Sequence, residues 1–179
     1  ESWQQIRAIS SCRFLSKQSI LYRAGDTPRS FAFVARGLVR GYVAAEDGAE
    51  YNKNFFEEGE FPGSMTALLT NSPSRFGFEA IEDSVIVEIH FAAFRQLVFE
   101  RHDMTLFQVH YLERNWLLAK DARETEIVQE DATTRYLRFL KERPRLAARL
   151  AQYHIASHLG ITPTQLSRVR KKIAAPQPM

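Results

Sequence analysis

Short apolar runs with a period of two fill residues 18–89 of the chain, and the spacing becomes helical after His90. The runs are Ser19–Tyr22, Phe31–Val34, Leu38–Val43, Asn54–Phe56 and Val85–Ile89. Turn formers separate them, for example at Gly25-Asp26, Asp47-Gly48 and Pro62-Gly63. Many short strands at even spacing predict an antiparallel jelly roll or sandwich of about 70 residues.

Helical spacing predicts one element before this region and several after it. Residues 2–15 form a predicted amphipathic helix with Trp3, Ile6 and Ile9 on one face, and Cys12 is then a half-buried side chain beside it. A short helix starting at Phe91 should pack on the barrel. A long helix should follow from about Met104 to Gln129, because the segment has no internal glycine or proline.

The first half of the long helix is apolar on two faces. The first face carries Met104, Phe107, Tyr111 and Leu118, and the second carries Val109, Leu112, Trp116 and Ala119. One face can pack on the barrel, and the heptad-like spacing of the other favours a symmetric copy of the same helix, although the C-terminal domain could also cover it. The residues predicted for this dimer helix are Phe107, Tyr111, Leu112, Trp116 and Leu118.

The C-terminal residues predict two helices joined by a tight turn. A helix from about Asp131 should end at Arg143-Pro144, and Leu146 and Leu150 then lead into the pair. The first helix of the pair places Ile155, Ala156 and Leu159 on one face. Gly160 can take the left-handed conformation that ends it, and Thr162-Pro163 can cap and start the second helix.

In the second helix Leu166, Val169 and Ile173 should face inward, which leaves a polar and cationic outer face. Such a face suits the recognition helix of a DNA-binding protein: Arg168 can pair with guanine and Gln165 with adenine, while Ser167 and Thr162 hold phosphates. The predicted DNA-binding residues are Thr162, Thr164, Gln165, Ser167, Arg168, Arg170, Lys171 and Lys172. An ordinary helical hairpin with a solvated basic face remains the alternative.

Charge supports the DNA hypothesis because it is unevenly distributed. Residues 132–172 hold ten lysines and arginines against the single acid Glu142, whereas the rest of the chain has a net charge of −6. An acidic body with a basic C-terminal quarter is typical of a modular protein in which one end meets a polyanion.

Composition excludes several other classes. A single cysteine, Cys12, rules out an internal disulfide and a multi-cysteine metal site within one chain. No run approaches the roughly 18 apolar residues of a membrane span, and the first residues lack a signal-peptide pattern. We therefore expect a cytoplasmic protein without a membrane partner.

The order of barrel, long helix and helix-turn-helix resembles the Crp/Fnr family of bacterial transcription regulators. The residues that carry the resemblance are Ile20–Asp26, Phe31–Arg40, Gly59–Phe61, Glu79–Ser84, Ile155–Thr162 and Leu166–Lys171. It implies an α+β fold with three parts: a cyclic-nucleotide-binding-like antiparallel jelly roll (1–102), a long dimerisation helix (103–130) and an all-α helix-turn-helix domain (131–179). It also implies double-stranded DNA, a second copy of the chain and RNA polymerase as partners, and no enzymatic activity.

Two departures from the family pattern modify this expectation. In nucleotide-binding members a Gly-Glu pair is followed later in the chain by an arginine next to a small residue, and this pair holds the cyclic phosphate. Here Gly59-Glu60 is present, but Ser74 stands at the position of that arginine and Arg75 is displaced by one residue. We therefore expect no usual binding of cAMP and no fixed cofactor; the effector pocket is assigned to Glu60, Ser64, Ser74 and Arg75. The six residues after Ile173 are too few for the family's winged hairpin, so DNA contact should rest on the recognition helix.

Two alternative functions use the same barrel. A cupin-type metalloenzyme needs clustered histidines on barrel strands, but of the five histidines only His90 lies beside one. His154 and His158 are one helical turn apart, and we interpret them as surface or cap residues. A ligand-binding module that regulates a protein partner would leave the basic helix-turn-helix unexplained.

Overall fold

The computed structural model describes residues 2–45, 48, 50–118 and 131–174. The chain divides into two compact units, the first ending at Trp116 and the second beginning at Leu117. The predicted boundaries at 102 and 130 remain predictions.

The first unit consists of seven described strands with helices at both ends and one between strands. Its elements are α1 Ser2–Ala8, β1 Ser10–Leu15, β2 Ile20–Tyr22, β3 Ser30–Arg36, β4 Val39–Ala44, β5 Glu50–Phe56, α2 Met65–Thr70, β6 Gly77–Ala80, β7 Ser84–His90, α3 Phe91–Glu100 and α4 His102–Leu112. A π-helical turn, Glu113–Leu117, continues α4.

The strands form two antiparallel sheets in the orders β1-β7-β3 and β2-β6-β4-β5. Successive side chains of a strand point to opposite faces, so each sheet can turn one apolar face to the other. One fully buried cluster contains Val34 and Ile86 from the first sheet and Val39 and Ala80 from the second. The predicted antiparallel jelly-roll fold is confirmed, although hydrogen bonds do not close the two sheets into one barrel.

Helices cover the outer face of the three-stranded sheet. Phe31 and Ile89 on that face form a buried cluster with Phe94 of α3 and Met104 of α4. The ring of Tyr111 meets that of Phe61 edge-on with centroids 5.3 Å apart. These contacts fix α4 on the first unit through one of its two apolar faces.

The N-terminal prediction was wrong after Ala8. Residues 10–15 form strand β1 rather than the continuation of a helix, because β7 offers them a complete antiparallel partner from Ser10↔Ile89 to Leu15↔Ser84. Cys12 accordingly lies exposed on a strand instead of half-buried beside a helix.

Strand β6 is not among the elements that the apolar pattern predicts. Its four residues lie between β2 and β4, where Phe78 packs into the core and Gly77 approaches the ring of Tyr42. A strand this short carries too little alternation to stand out in the sequence.

The second unit is helical throughout its described part. Its helices are α5 Ala132–Glu142, α6 Pro144–Arg149, α7 Gln152–His158 and α8 Pro163–Ala174. The side chain of Asp131 caps α5 by accepting the N–H of Thr134 at 2.8 Å. Pro144 does end α5, but it also starts α6, a short helix that we had predicted only as a connection. The part of the predicted long helix beyond Leu118, including Ala119, lies outside the described residues.

Candidate nucleic-acid interface and effector cleft

The turn between α7 and α8 has the geometry that its sequence predicts. Gly160 takes a φ of +67°, its N–H donates to the carbonyl of Ser157 at 3.1 Å, and the N–H of Ile161 donates to the carbonyl of Ala156 at 3.0 Å. These two bonds make a Schellman motif, which satisfies the last carbonyls of α7 and turns the chain sharply into α8.

A reciprocal cap starts α8. The N–H of Gln165 donates to Oγ1 of Thr162 at 3.1 Å, and the N–H of Thr162 donates to Oε1 of Gln165 at 2.8 Å. Pro163 occupies the first helical position, where no N–H is needed. Gln165, which we had assigned to base reading, therefore also holds the first turn of the helix.

Leu166 is the most deeply buried side chain among the inward positions predicted for α8. It is 1% exposed and lies in the same unit as the buried Ile155 and Ala156 of α7. Val169 is half-buried. The inward position predicted for Ile173 is wrong, since that side chain is 40% exposed.

The polar face of α8 is exposed along its whole length. Thr164, Ser167, Arg168 and Lys171 follow one another at steps of three, one and three residues, so they form a continuous strip. We call these four residues the α8 strip. Arg170 and Lys172 flank it and are also exposed.

The carboxyl of Asp131, at the start of α5, has a lowered pKa. The hydrogen bonds from Thr134 are the main cause that lowers the pKa of the Asp131 carboxyl, and the positive charge of Lys172 contributes to the same shift.

Of the two histidines of α7, His154 is not the surface or cap residue that the sequence predicts, whereas His158 lies in the last turn of the helix. His154 is 7% exposed, and the centroid of its ring lies 4.1 Å from that of the Tyr153 ring. His158 is half-buried, and its ring centroid lies 5.7 Å from that of Phe139. Both belong to the packing of the second unit. Within the described residues there is no group of three histidine, cysteine, aspartate or glutamate side chains that could hold a metal ion.

The residues assigned to the dimer helix divide between its two faces. Phe107 and Tyr111 lie against Phe61 of the barrel, at centroid distances of 6.4 and 5.3 Å. Leu112, Trp116 and Leu118 are 42%, 51% and 65% exposed. Val109 is exposed as well. Val109 and Leu112 of α4 and Trp116 of the π-helical turn that continues it are exposed apolar residues three and four positions apart, and we call these three residues the α4 seam.

A cleft of about 320 Å³ opens in the first unit beside the loop between β2 and β3. Ser64 and Ser74 line it, whereas Glu60 and Arg75 do not. Glu60 instead accepts the N–H of Glu57 at 2.7 Å, and Arg75 is exposed. The structure therefore brings two of the four predicted pocket residues together.

The hydroxyl of Ser74 is already used within its own loop. It donates to the carbonyl of Phe76 at 2.9 Å and accepts the N–H of the same residue at 3.0 Å. Ser64 differs, because it precedes α2 without any side-chain cap bond.

Sequence reasoning missed most of the cleft. Tyr22, Arg23, Asp26, Arg29 and Glu88 line it together with the two serines. The available signal was the polar segment between the first two strands of the predicted barrel, which we interpreted only as a turn. Glu88 lies on β7, far away in sequence, and only the pairing of β7 with β3 brings it there.

The fold and the exposed face of α8 together define a class of protein. In this class a jelly-roll unit with an open cleft is followed by a unit that contains a capped helix-turn-helix. The family "Cyclic nucleotide-binding domain" matches residues 12–101. The chain belongs to this family, and its fold is that of the Crp/Fnr-type regulators. The prediction of a non-enzymatic regulator agrees with that membership.

Solved structures of regulators share the fold at low sequence identity. FixK2 from Bradyrhizobium japonicum is 18% identical with a TM-score of 0.77, over 92% of this chain and 84% of FixK2. CLP from Xanthomonas campestris, described as a c-di-GMP responsive global regulator, is 20% identical with a TM-score of 0.74, over 96% and 90%. A CooA mutant from Carboxydothermus hydrogenoformans is 24% identical with a TM-score of 0.72, over 93% and 77%.

A curated relative matches over a shorter region. An uncharacterized protein of Haemophilus influenzae is 33% identical over 64 residues, which is 36% of this chain and half the length of that relative. No helix in the described part of the chain combines the length and apolar character that crossing a membrane requires.

Proposed function

We propose that this chain is a homodimeric transcriptional regulator of the Crp/Fnr type, in which α8 reads a pseudo-palindromic operator in double-stranded DNA. The observation that carries the proposal is the α8 strip: an exposed row of hydroxyl and cationic side chains on a helix held by a Schellman turn and a reciprocal cap. Helices of this kind lie in the major groove with their N-terminal residues against the base edges.

The roles within the strip follow from chemistry. Arg168 can donate two parallel hydrogen bonds to the major-groove edge of guanine, and Thr164 one turn earlier can contact a base or a thymine methyl. Ser167 and Lys171 are suited to phosphates, which fix the register without reading sequence. Arg170 and Lys172 add positive charge beside the strip.

The α4 seam supports a homodimer. Val109, Leu112 and Trp116 repeat at the three- and four-residue steps of a coiled coil, and each side chain is more than 40% exposed. A parallel copy of α4 is the simplest partner for such a seam, and a two-fold dimer would present two copies of α8 to DNA half-sites about 10 bp apart. RNA polymerase is a further partner that a regulator of this type would need.

The jelly roll is the proposed sensory part of the regulator. We expect it not to hold cAMP in the usual way, because Glu60 and Arg75 lie outside the cleft and the hydroxyl of Ser74 is occupied by its own loop.

The proposal is tested by selection from random duplex DNA. The full chain is incubated with a library of 30-bp duplexes at about 100 mM salt, and bound sequences are enriched and sequenced. We expect a motif with two-fold symmetry whose half-sites lie about 10 bp apart, and affinity that falls steeply with salt. Enrichment of no motif, together with a monomer in light scattering, would falsify the proposal.

A further inference from the structure

The cleft of the first unit contains a polar group that the protein itself leaves unused. The hydroxyl of Tyr22 is buried and lies close to the carboxylate of Glu88, but no acceptor among the described residues meets it with full hydrogen-bond geometry. Ser64 is 7% exposed, and its side chain does not cap α2. An unsatisfied buried hydroxyl costs stability, so the Tyr22 hydroxyl beside this cleft indicates that a ligand completes it.

The hydroxyl of Tyr22 is suited to donate a hydrogen bond to a ligand rather than to ionise. Burial is the main cause that raises the pKa of its phenol, and the proximity of Glu88, through its negative charge and its capacity to accept a hydrogen bond, raises it further. The phenol therefore stays protonated throughout the physiological range and offers an O–H to an acceptor on a ligand.

The charges around the cleft favour an anion. Glu88 is neutralised by Arg13, whose Nη1 lies 2.7 Å from Oε2 of the carboxylate. The remaining charged residues of the lining are Arg23 and Arg29 against Asp26. Two guanidinium groups at an open rim can bind a carboxylate through paired hydrogen bonds.

The rim is built into the fold. The N–H of Gly25 donates to the carbonyl of Ser74 at 2.8 Å, and the N–H of Ser74 donates to the carbonyl of Asp26 at 2.8 Å. These bonds tie the β2–β3 loop to the segment before β6, and both segments line the cleft. Apolar side chains of Leu21 and Phe78 complete the wall.

We propose that this cleft binds a small organic carboxylate with an apolar body, its carboxylate at Arg23 and Arg29 and a second acceptor at Tyr22 and Ser64. The size of the cleft, about 320 Å³, is at the lower end of the usual range for ligand pockets and suits a small metabolite. The inference rests on the proposed function in that the carboxylate would be the effector of the regulator.

The test measures direct binding to the full chain by calorimetry and thermal shift. The probes are 5-oxohexanoate and 4-acetylbenzoate as carboxylates that carry a second acceptor, 4-acetylbenzamide as a neutral isostere and 4-acetylbenzylammonium as a cation. We expect at least one carboxylate to bind at millimolar concentration or below, and the amide and the cation to bind at least tenfold more weakly. Absence of binding by both carboxylates, or equal or tighter binding of the amide or the cation, overturns the proposal.

Variants then locate the site. Arg29→Gln and Arg23→Gln should each weaken the bound carboxylate at least about tenfold, because each removes charge-assisted hydrogen bonds. Arg75→Gln is the matched control: Arg75 is an exposed arginine of the same unit that does not line the cleft, and its loss should change affinity less than twofold. Equal losses in all three variants would mean that the carboxylate binds elsewhere, which contradicts the assignment.

Carboxylate binding and operator selection are tested separately by these experiments. A protein that selects an operator but binds neither carboxylate keeps the proposed function and loses this inference. A protein that binds a carboxylate at Arg29 but selects no DNA motif keeps the cleft and loses the regulator.

Discussion

Thr162 and Gln165 cap the first turn of α8 in both directions, with N···O distances of 3.1 and 2.8 Å. The pair connects the stability of the helix to its proposed use. In this structure Oε1 of Gln165 accepts a backbone N–H, so the bidentate pairing with adenine that its residue type first indicated would require breaking the cap. We therefore assign Gln165 to positioning α8.

The first prediction separates these two roles of Gln165. Gln165→Leu should lower the free energy of unfolding by about 1 kcal/mol, because the N–H of Thr162 loses its acceptor. Gln165→Glu should keep the cap, since glutamate serves equally at this position. Urea unfolding measures both variants. A glutamate variant that remains stable and still selects the wild-type motif supports positioning, whereas a changed base at one motif position would show that Gln165 reads DNA.

The second prediction concerns the α8 strip. Arg168→Ala should weaken binding to the selected operator by about 1–3 kcal/mol and relax the preference at one base pair. Lys171→Ala should weaken operator and random DNA alike and reduce the salt slope by about one. Fluorescence anisotropy at several salt concentrations measures both effects. Equal loss of specific and random binding in the two variants would contradict the roles assigned here.

The third prediction tests the α4 seam. Trp116→Glu places a charge in the proposed coiled-coil contact, so we expect a monomer in light scattering and loss of tight operator binding. Arg114→Ala changes an exposed residue of the same helical segment outside the seam and should leave the dimer intact. If Trp116→Glu remains dimeric, two copies of the chain associate through another surface.

The elements with strong local signals are those that the sequence identifies. Gly160, Thr162 and Pro163 specify the turn and the start of α8 by backbone chemistry alone, and their geometry is as their residue types require. Leu166 is likewise buried as its spacing predicts. Such features depend on neighbours within a few residues and need no knowledge of the fold.

Features set by distant partners could not be read in this way. Strand β1 has the composition of a helix end and becomes a strand only because β7 pairs with it. The cleft joins Tyr22, Ser64 and Glu88 from three separate elements, and no spacing rule connects them. Burial of His154 similarly depends on how the helices of the second unit pack, which its apolar pattern does not specify.

The fourth prediction concerns Arg40, the buried cation on β4. Its Nε donates to Glu79 at 2.8 Å, Nη1 donates to Asn52 at 3.0 Å, and Nη2 pairs with Glu50 at 2.6 Å. Arg40→Met leaves Glu79 without its cation in a largely buried position, and should cost about 3 kcal/mol of unfolding free energy. The double variant Arg40→Met/Glu79→Leu should recover most of that loss.

Arg36→Met is the control for Arg40, because Arg36 is an exposed arginine at the end of β3. We expect it to change stability by less than about 0.5 kcal/mol. An Arg40 variant as stable as the Arg36 control would mean that the charges around Arg40 are solvated in solution.

The fifth prediction concerns Tyr22, whose hydroxyl is buried without a partner of acceptable geometry in the described residues. Tyr22→Phe removes an unsatisfied donor, so we expect the unliganded protein to gain about 1 kcal/mol of unfolding free energy. Carboxylate affinity should fall in the same variant. Gain of stability with loss of binding is the pattern of a residue kept for a ligand rather than for the fold.

The pH dependence of the Tyr22 variant gives an independent check. Because burial raises the pKa of Tyr22 in the folded chain, the native phenol stays protonated where an unfolded tyrosine ionises. The resulting contribution to stability is fully present below about pH 10 and is lost as the pH rises through the folded pKa. Tyr22→Phe should remove that alkaline component from the stability profile. If the variant is instead destabilised at neutral pH, the Tyr22 hydroxyl donates a hydrogen bond to Glu88 in solution. The cleft would then have no free buried donor at Tyr22 for a ligand.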